Sequence, residues 1–144
     1  MVDWLNLYLA GHTVYVEPFC GAGHLLFTKP PSRVEVLNDV DNYLVDFFKV
    51  IQEPDKRQML IERLNYMPYS RSLWNEIRSQ WKAGILPQDE IERSTQWFFL
   101  NKSCFSGDQE RGGFALPSTT GRNPAQSYYN AIDNIDTKLH SYIN

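Results

Sequence analysis

The pattern of apolar and polar positions predicts β-strands near the start of the chain and helices over most of the rest. Val14 to Val16 form a short run of strand-favouring residues that predicts a buried strand. Arg33 to Leu37 alternate valine with charged residues, which predicts a second strand. The stretch between them, His24 to Thr28, predicts a single helical turn, which the prolines Pro30 and Pro31 end. The front of the chain is therefore an α/β unit.

Helical periodicity begins at Asn42, where apolar residues recur three and four positions apart. Pro54 is expected to break this first helix, since proline lacks the backbone N–H that a helix interior needs. Gly84 stands where a glycine C-cap follows a helix. The same periodicity predicts four further helices, at Met59–Tyr66, Ser70–Ala83, Gln88–Phe99 and Ala125–Tyr142.

The segment from Asn101 to Asn123 interrupts this periodicity. It holds four glycines and one proline among many polar residues. Because glycine and proline favour turns, the segment predicts an irregular loop or a β-hairpin that displays polar groups.

The composition is that of an ordinary soluble domain, with 42% hydrophobic and 22% charged residues among 144. No basic leader precedes the apolar start, so we expect no secretory signal and a cytoplasmic protein in which Cys20 and Cys104 stay reduced. The histidines and cysteines do not cluster at metal-ligand spacing, so we expect no zinc site. A net charge of −3 gives no overall attraction to nucleic acid, although a local basic face is compatible with it.

The stretch VYVEPFCGAG places a glycine turn directly after the first predicted strand. Gly21 and Gly23 lack the Cβ atoms that would keep a ligand away from the backbone. Asp39 follows the second strand, 16 residues beyond Gly23, where a carboxylate accepts hydrogen bonds from both hydroxyls of a ribose. Doubly wound folds bind nucleotides with this arrangement.

These residues alone leave the ligand open. The dinucleotide fingerprint requires a third glycine where Leu26 stands, and no Gly-Lys-Ser/Thr phosphate loop is present. A purely structural role explains the same residues equally well: the glycines form a tight turn, and Asp39 is the N-cap of the next helix. An adenosine-containing ligand, a plain NAD or ATP module and a purely structural turn therefore remain as alternatives.

VYVEPFCGAG followed by KPPSRVEVLNDVDNYLVDFFKVIQ resembles the D12-class DNA adenine N6-methyltransferases. LNKSCFSGDQERGGF, at Leu100 to Phe114, is similar to a segment of that family's target-recognition region. The resemblance implies an α/β fold, part of a Rossmann-like S-adenosylmethionine-dependent methyltransferase core plus a mainly helical target-recognition section. It implies a cofactor-binding part at 1–53, a helical section at 54–124 with a DNA-recognition loop at 101–123, and a helix returning to the core at 125–144.

The resemblance also implies ligands and site residues. The cofactor is S-adenosyl-L-methionine, the partner is double-stranded DNA, and the reaction is methyl transfer to N6 of a flipped-out adenine in restriction-modification. Asp39 holds the ribose, and the loop around the methionine part is formed by Glu17, Pro18, Phe19, Gly21 and Gly23. Because Lys and Arg suit phosphates and Arg also suits base edges, DNA contacts are expected at Asn101, Lys102, Arg111 and Arg122.

Two motifs of that family are absent from these 144 residues, the N-terminal Lys-Trp-x-Gly-Gly-Lys and the catalytic Asp-Pro-Pro-Tyr. We therefore identify no catalytic residue and expect this chain alone to be inactive, as a fragment or truncated form of the enzyme. The alternative is a non-catalytic remnant that binds DNA or a partner. A sheet of few strands exposes an edge, which also predicts self-association.

Overall fold

The computed structural model describes residues 5, 7–9, 11–26, 28–105, 112–119, 121 and 123–143, with only the backbone described beyond residue 135. Within these ranges the chain is a mixed α/β structure whose strands precede its helices. The elements are β1 (Val14–Glu17), β2 (Val34–Leu37), α1 (Asn42–Gln52), α2 (Pro54–Tyr66), α3 (Arg71–Lys82), α4 (Glu90–Lys102) and α5 (Pro124–Ile143). No helix in this part of the chain is long and apolar enough to cross a membrane.

β1 and β2 form a parallel pair in which Val14 lies opposite Val34. Successive side chains of a strand point to opposite faces of the sheet, and the two faces differ here. Tyr15 is buried, whereas Val14 and Val16 are 55% and 53% exposed. Both strands are confirmed, but the prediction of a buried first strand is wrong for its valine face. The alternation is that of a sheet with one covered face, where β-branched residues on the other face meet solvent.

The helical part is built around α4, which contacts α1, α2, α3 and α5. Its residues Phe98, Phe99 and Leu100 are buried. The apolar spacing predicted for the first helix is confirmed, because every one of its inward positions is buried, at Leu44, Phe47, Phe48 and Ile51. Tyr128 and Ile132 of α5 belong to the same core.

Pro54 ends the first helix as predicted, since α1 stops at Gln52. Two other helix boundaries differ from those predicted by three residues or more: α2 begins at Pro54 instead of Met59, and α4 ends at Lys102 instead of Phe99. Pro54 lies in the first turn of α2, where a missing N–H costs nothing because those groups have no partner within the helix. The side-chain nitrogen of Asn101 donates to the carbonyl of Trp97 at 3.1 Å. The N–H of Ser103 donates to the carbonyl of Phe99 at 3.0 Å, so α4 continues through Asn101 and Lys102 instead of ending before them.

The two described ends of the predicted loop pair with each other. Cys104 and Phe114 form an antiparallel bridge. Phe105 N–H donates to the Gly113 carbonyl at 2.8 Å, next to this bridge. This pairing is what the base of a β-hairpin requires, and residues 106–111 between the two ends lie outside the described residues. Arg111 and Arg122, both predicted to contact DNA, lie outside the described residues.

Candidate functional site

The glycine turn after β1 contains two residues with left-handed backbone conformation. Gly21 has φ +47° and Gly23 has φ +62°, a region that side-chain-bearing residues rarely adopt. A Cβ atom added at Gly21 would meet nothing within 4 Å. The backbone conformation, and not packing, therefore requires glycine at Gly21, and the space beside it is open to a ligand.

Backbone hydrogen bonds hold this turn against the end of β2. The N–H of Cys20 donates to the carbonyl of Asn38 at 2.9 Å, and the N–H of Asn38 donates to the carbonyl of Glu17 at 2.9 Å. The side chain of Asn38 also donates to the carbonyl of Pro18 at 3.2 Å. The turn thus lies at the carboxyl ends of two parallel strands, which is where open α/β sheets bind ligands.

Asp39 joins the turn to the residues that follow β2. Its Oδ2 accepts the Gly21 N–H at 2.9 Å, and its Oδ1 accepts the Asp41 N–H at 3.1 Å. These hydrogen bonds, the one from Asp41 first, hold the pKa of Asp39 below its ordinary value. Each carboxylate oxygen has a second lone pair, so an ionised Asp39 can still accept two ligand hydroxyls.

The N-cap of α1 is Asp41, not Asp39. Oδ1 of Asp41 accepts the N–H groups of Tyr43 at 2.9 Å and Leu44 at 3.3 Å. The alternative in which Asp39 serves as the helix cap is therefore wrong. Oδ2 of Asp41 accepts a hydrogen bond from Nε1 of Trp97 at 3.3 Å, which connects the start of α1 to α4.

Glu17 and Phe19 occupy the turn in different ways. Oε1 of Glu17 accepts two hydrogen bonds, from the Tyr15 hydroxyl at 2.5 Å and from the Leu26 N–H at 3.0 Å. Leu26 itself is buried, so the position of the missing third glycine is filled by a core side chain. Phe19 is 86% exposed and presents an apolar ring beside the turn.

Cys20 is buried in the turn, where the charges of Glu17 and Asp39 reach its thiol, a relationship that the sequence analysis did not identify. Burial raises the pKa of its thiol, and the charges of Asp39 and Glu17 raise the pKa further. The thiol is therefore neutral near pH 7. The sequence signal that could have indicated this relationship is the position of Cys20 inside the glycine motif, three residues after Glu17.

A cavity of about 610 Å³ lies beside the turn, with Ala22 and His24 on one side. Its other lining residues come from α1, α4 and α5 and are mainly apolar, and Lys102 is among the polar ones. The structure therefore brings one predicted DNA-contacting residue to the same cavity as the glycine turn. The side chain of Asn101 is instead held by its own helix. Among the described residues, no group of histidines, cysteines and acids is arranged to hold a metal ion.

Comparison with known proteins identifies the family. Residues 1–144 match the D12 class N6 adenine-specific DNA methyltransferases, and the chain belongs to this family. It is 27% identical over 125 residues to the type II methyltransferase M.MjaIII of Methanocaldococcus jannaschii. It is 27% identical over 108 residues to the DNA N-6-adenine-methyltransferase of Escherichia phage P1, and 26% identical over 133 residues to the type II methyltransferase M1.LlaDCHI of Lactococcus lactis subsp. cremoris.

These matches include most of this chain but less than half of each relative. They take in 76%, 74% and 88% of the chain, against 43%, 14% and 46% of the archaeal, phage and lactococcal proteins. The family membership therefore concerns the whole of these residues, whereas the relatives contain much sequence that has no counterpart here.

Proposed function

We propose that this chain binds S-adenosyl-L-methionine at the glycine turn and DNA at the hairpin after α4, as part of a cytoplasmic DNA adenine N6-methyltransferase. The observation that carries the proposal is the Asp39 carboxylate, joined to the Gly21 N–H at the carboxyl end of β2. Membership of the D12 class supports it, because this class uses S-adenosyl-L-methionine as methyl donor. In this proposal residues 1–53, with the two strands and α1, are the cofactor-binding part of a Rossmann-like core. Residues 54–124 are the helical section that contacts DNA, and residues 125–144 form a helix that returns to the core.

The residues present fit this cofactor. Asp39 is kept ionised and retains acceptor capacity for the two ribose hydroxyls. Glu17 supplies a second negative charge, for the ammonium group of the amino-acid part, and Phe19 offers an exposed apolar ring. Gly21 lets the ligand approach the backbone. When bound, the cofactor supplies the methyl group that adenine N6 accepts.

DNA binding is assigned to the end of α4 and the hairpin that follows. Lys102 is exposed in the last turn of the helix, where a cation also interacts favourably with the helix dipole. A lysine at this position suits a phosphate contact. Asn101, Arg111 and Arg122 complete the proposed DNA-contacting set, although the amide of Asn101 is already engaged with Trp97.

We assign methyl transfer to the whole enzyme and not to these residues alone. The 144 residues contain no Asp-Pro-Pro-Tyr, the sequence that holds the adenine amino group in this class. The second candidate function, DNA or partner binding without methyl transfer, rests on the same observation. Self-association through a sheet edge has no support beyond the two-stranded sheet, and the proposed function does not require it.

Calorimetric titration with S-adenosyl-L-homocysteine tests the cofactor site. The parent chain is compared with Asp39→Asn, which keeps the side-chain shape, and with Asp55→Asn, an exposed acid on α2, as the matched control. We expect binding by the parent and the control and at least tenfold weaker binding by Asp39→Asn. Ligand at 100 times its dissociation constant should also stabilise the fold by about 2.7 kcal/mol. Absence of binding in a folded parent chain would refute the cofactor site.

Two further assays separate the rival functions. Excess NAD should not displace S-adenosyl-L-homocysteine, and displacement would favour a plain nucleotide-binding module. Transfer of labelled methyl groups to duplex DNA should be undetectable with this chain alone. Turnover would show instead that these residues contain a complete catalytic site.

A further inference from the structure

We propose that Tyr15 is a positioning residue that orients Glu17 for the ammonium group of the cofactor's amino-acid end, an inference that rests on the proposed function above. Tyr15 and Glu17 are two positions apart on β1, so their side chains leave the same face of the sheet. The Tyr15 hydroxyl donates to Oε1 of Glu17 at 2.5 Å. Neither the sequence motif nor the family assignment gives Tyr15 a role.

The hydroxyl can orient Glu17 because the tyrosine ring is itself held in place. Tyr15 is only 8% exposed, and Nζ of Lys29 lies 4.3 Å from its ring centroid. The Lys29 ammonium is fixed in turn by hydrogen bonds to Glu35 at 2.5 Å, Ser32 Oγ at 3.0 Å and the Pro30 carbonyl at 3.0 Å. A buried cation with these partners has little freedom to move, so the ring beside it is fixed as well.

Glu17 is therefore oriented by two donors on one oxygen. The Leu26 N–H donates to the same Oε1 at 3.0 Å, from the far side of the glycine turn. Two hydrogen bonds to one carboxylate oxygen restrict the rotation of the carboxylate and keep its negative charge at the turn. A carboxylate fixed at this place attracts the ammonium group of an amino-acid moiety, whereas Asp39 serves the ribose.

This division of roles predicts a difference between two ligands. S-adenosyl-L-homocysteine carries the amino-acid part, and 5′-methylthioadenosine carries the ribose and base without it. Tyr15→Phe removes only the hydroxyl and keeps the ring beside Lys29. We expect it to weaken S-adenosyl-L-homocysteine about tenfold, as for the loss of one hydrogen bond to a charged group, and to leave 5′-methylthioadenosine unchanged. Asp39→Asn should weaken both ligands, and Tyr66→Phe, at an exposed tyrosine, should change neither.

Amide hydrogen exchange tests the same proposal without any ligand. Loss of the Tyr15 hydroxyl frees Glu17, so the Leu26 amide should exchange faster in Tyr15→Phe. The exchange rate of the Leu64 amide of α2 should not change. A general loss of stability would instead raise the exchange rates of both amides. Glu17→Gln in the same protein supplies a double-mutant cycle, in which Tyr15→Phe should cause little further loss of affinity.

The outcomes separate this proposal from the one it rests on. Equal weakening of the two ligands, unchanged Leu26 exchange, or fully additive losses in the cycle would each overturn the role of Tyr15. A folded parent chain that binds neither ligand would refute the cofactor site itself. The exchange rate of the Leu26 amide would then still test whether the Tyr15 hydroxyl orients Glu17. An unchanged rate in Tyr15→Phe would overturn that role.

Discussion

The carboxylate of Asp39 accepts the backbone N–H of Gly21, with 2.9 Å between Oδ2 and the nitrogen. This hydrogen bond joins Asp39, the second residue after β2, to Gly21 in the turn after β1, 18 positions earlier in the chain. The acid and the turn are therefore arranged before any ligand arrives. A site arranged in advance loses less conformational freedom on binding, which favours affinity.

Asp39 should make the fold sensitive to acid. Backbone hydrogen bonds from Asp41 and Gly21 lower its pKa in the folded state from the ordinary value of 3.8. A lowered folded pKa contributes stability that is present above about pH 4 and lost as pH falls through the folded value. Urea unfolding midpoints of the parent should therefore fall more steeply below pH 4 than those of Asp39→Asn. Asp89 has a lowered pKa too, but it contributes equally to both proteins, so parallel curves would contradict this role.

Cys20 should ionise only at high pH. Burial first, and then the charges of Asp39 and Glu17, raise its pKa from the ordinary value of 9.0. Because the pKa is raised in the folded state, the neutral Cys20 thiol contributes stability that is present below pH 9 and lost as pH rises through the folded value. Alkylation of Cys20, followed by mass spectrometry, should begin at higher pH in the folded than in the urea-unfolded chain. Asp39→Asn should shift the onset back towards pH 9; no shift would mean that its charge does not reach the thiol.

Gly21→Ala should affect both stability and ligand binding. An alanine at φ +47° is strained, at a cost of about 1–2 kcal/mol, although its Cβ meets no protein atom. Gly84→Ala is the matched control, since Gly84 has φ +74°, no atom within 4 Å and a place after α3 instead of in the turn. Thermal unfolding should show similar losses in both variants. Only Gly21→Ala should weaken S-adenosyl-L-homocysteine, and equal affinities would argue against ligand contact at the turn.

The packing of α5 on the other helices can be tested at Ile132. This residue is 1% exposed and belongs to the core, so Ile132→Ala should cost about 2–5 kcal/mol through lost burial and a residual cavity. Gln126→Ala, on the exposed side of the same helix, should change stability by less than about 0.5 kcal/mol. Urea unfolding measures both values. A small loss at Ile132 would mean that α5 is not part of the cooperative core.

Local sequence signals predicted most of the elements correctly. The helical spacing of Leu44, Phe47, Phe48 and Ile51 correctly gave the buried face of α1, because one element's periodicity records which side it buries. Ser70 and Gly84 correctly marked the limits of α3, since caps depend on neighbouring backbone groups alone. The sequence also assigned the glycine turn and Asp39 to one site, and the structure places them in contact because the parallel pairing of β1 and β2 brings their carboxyl ends together.

Features that depend on distant contacts were not predicted. The exposure of Val14 and Val16 depends on how many layers cover the sheet, and β-branched residues suit either face. The contact of Lys29 with Tyr15 arises from the course of the crossover between the strands.

The hydrogen bond between Trp97 and Asp41 has a thermodynamic consequence. Trp97 stands five positions before Lys102 on α4, and Asp41 stands two positions after Asp39, so one contact lies between the proposed DNA and cofactor sites. A ligand at one site that moves α4 relative to α1 changes the affinity of the other site. Linkage then requires the same factor in the reverse direction. Cooperativity between DNA and cofactor, where it occurs, is expected to diminish in both directions equally when Trp97 loses its indole N–H.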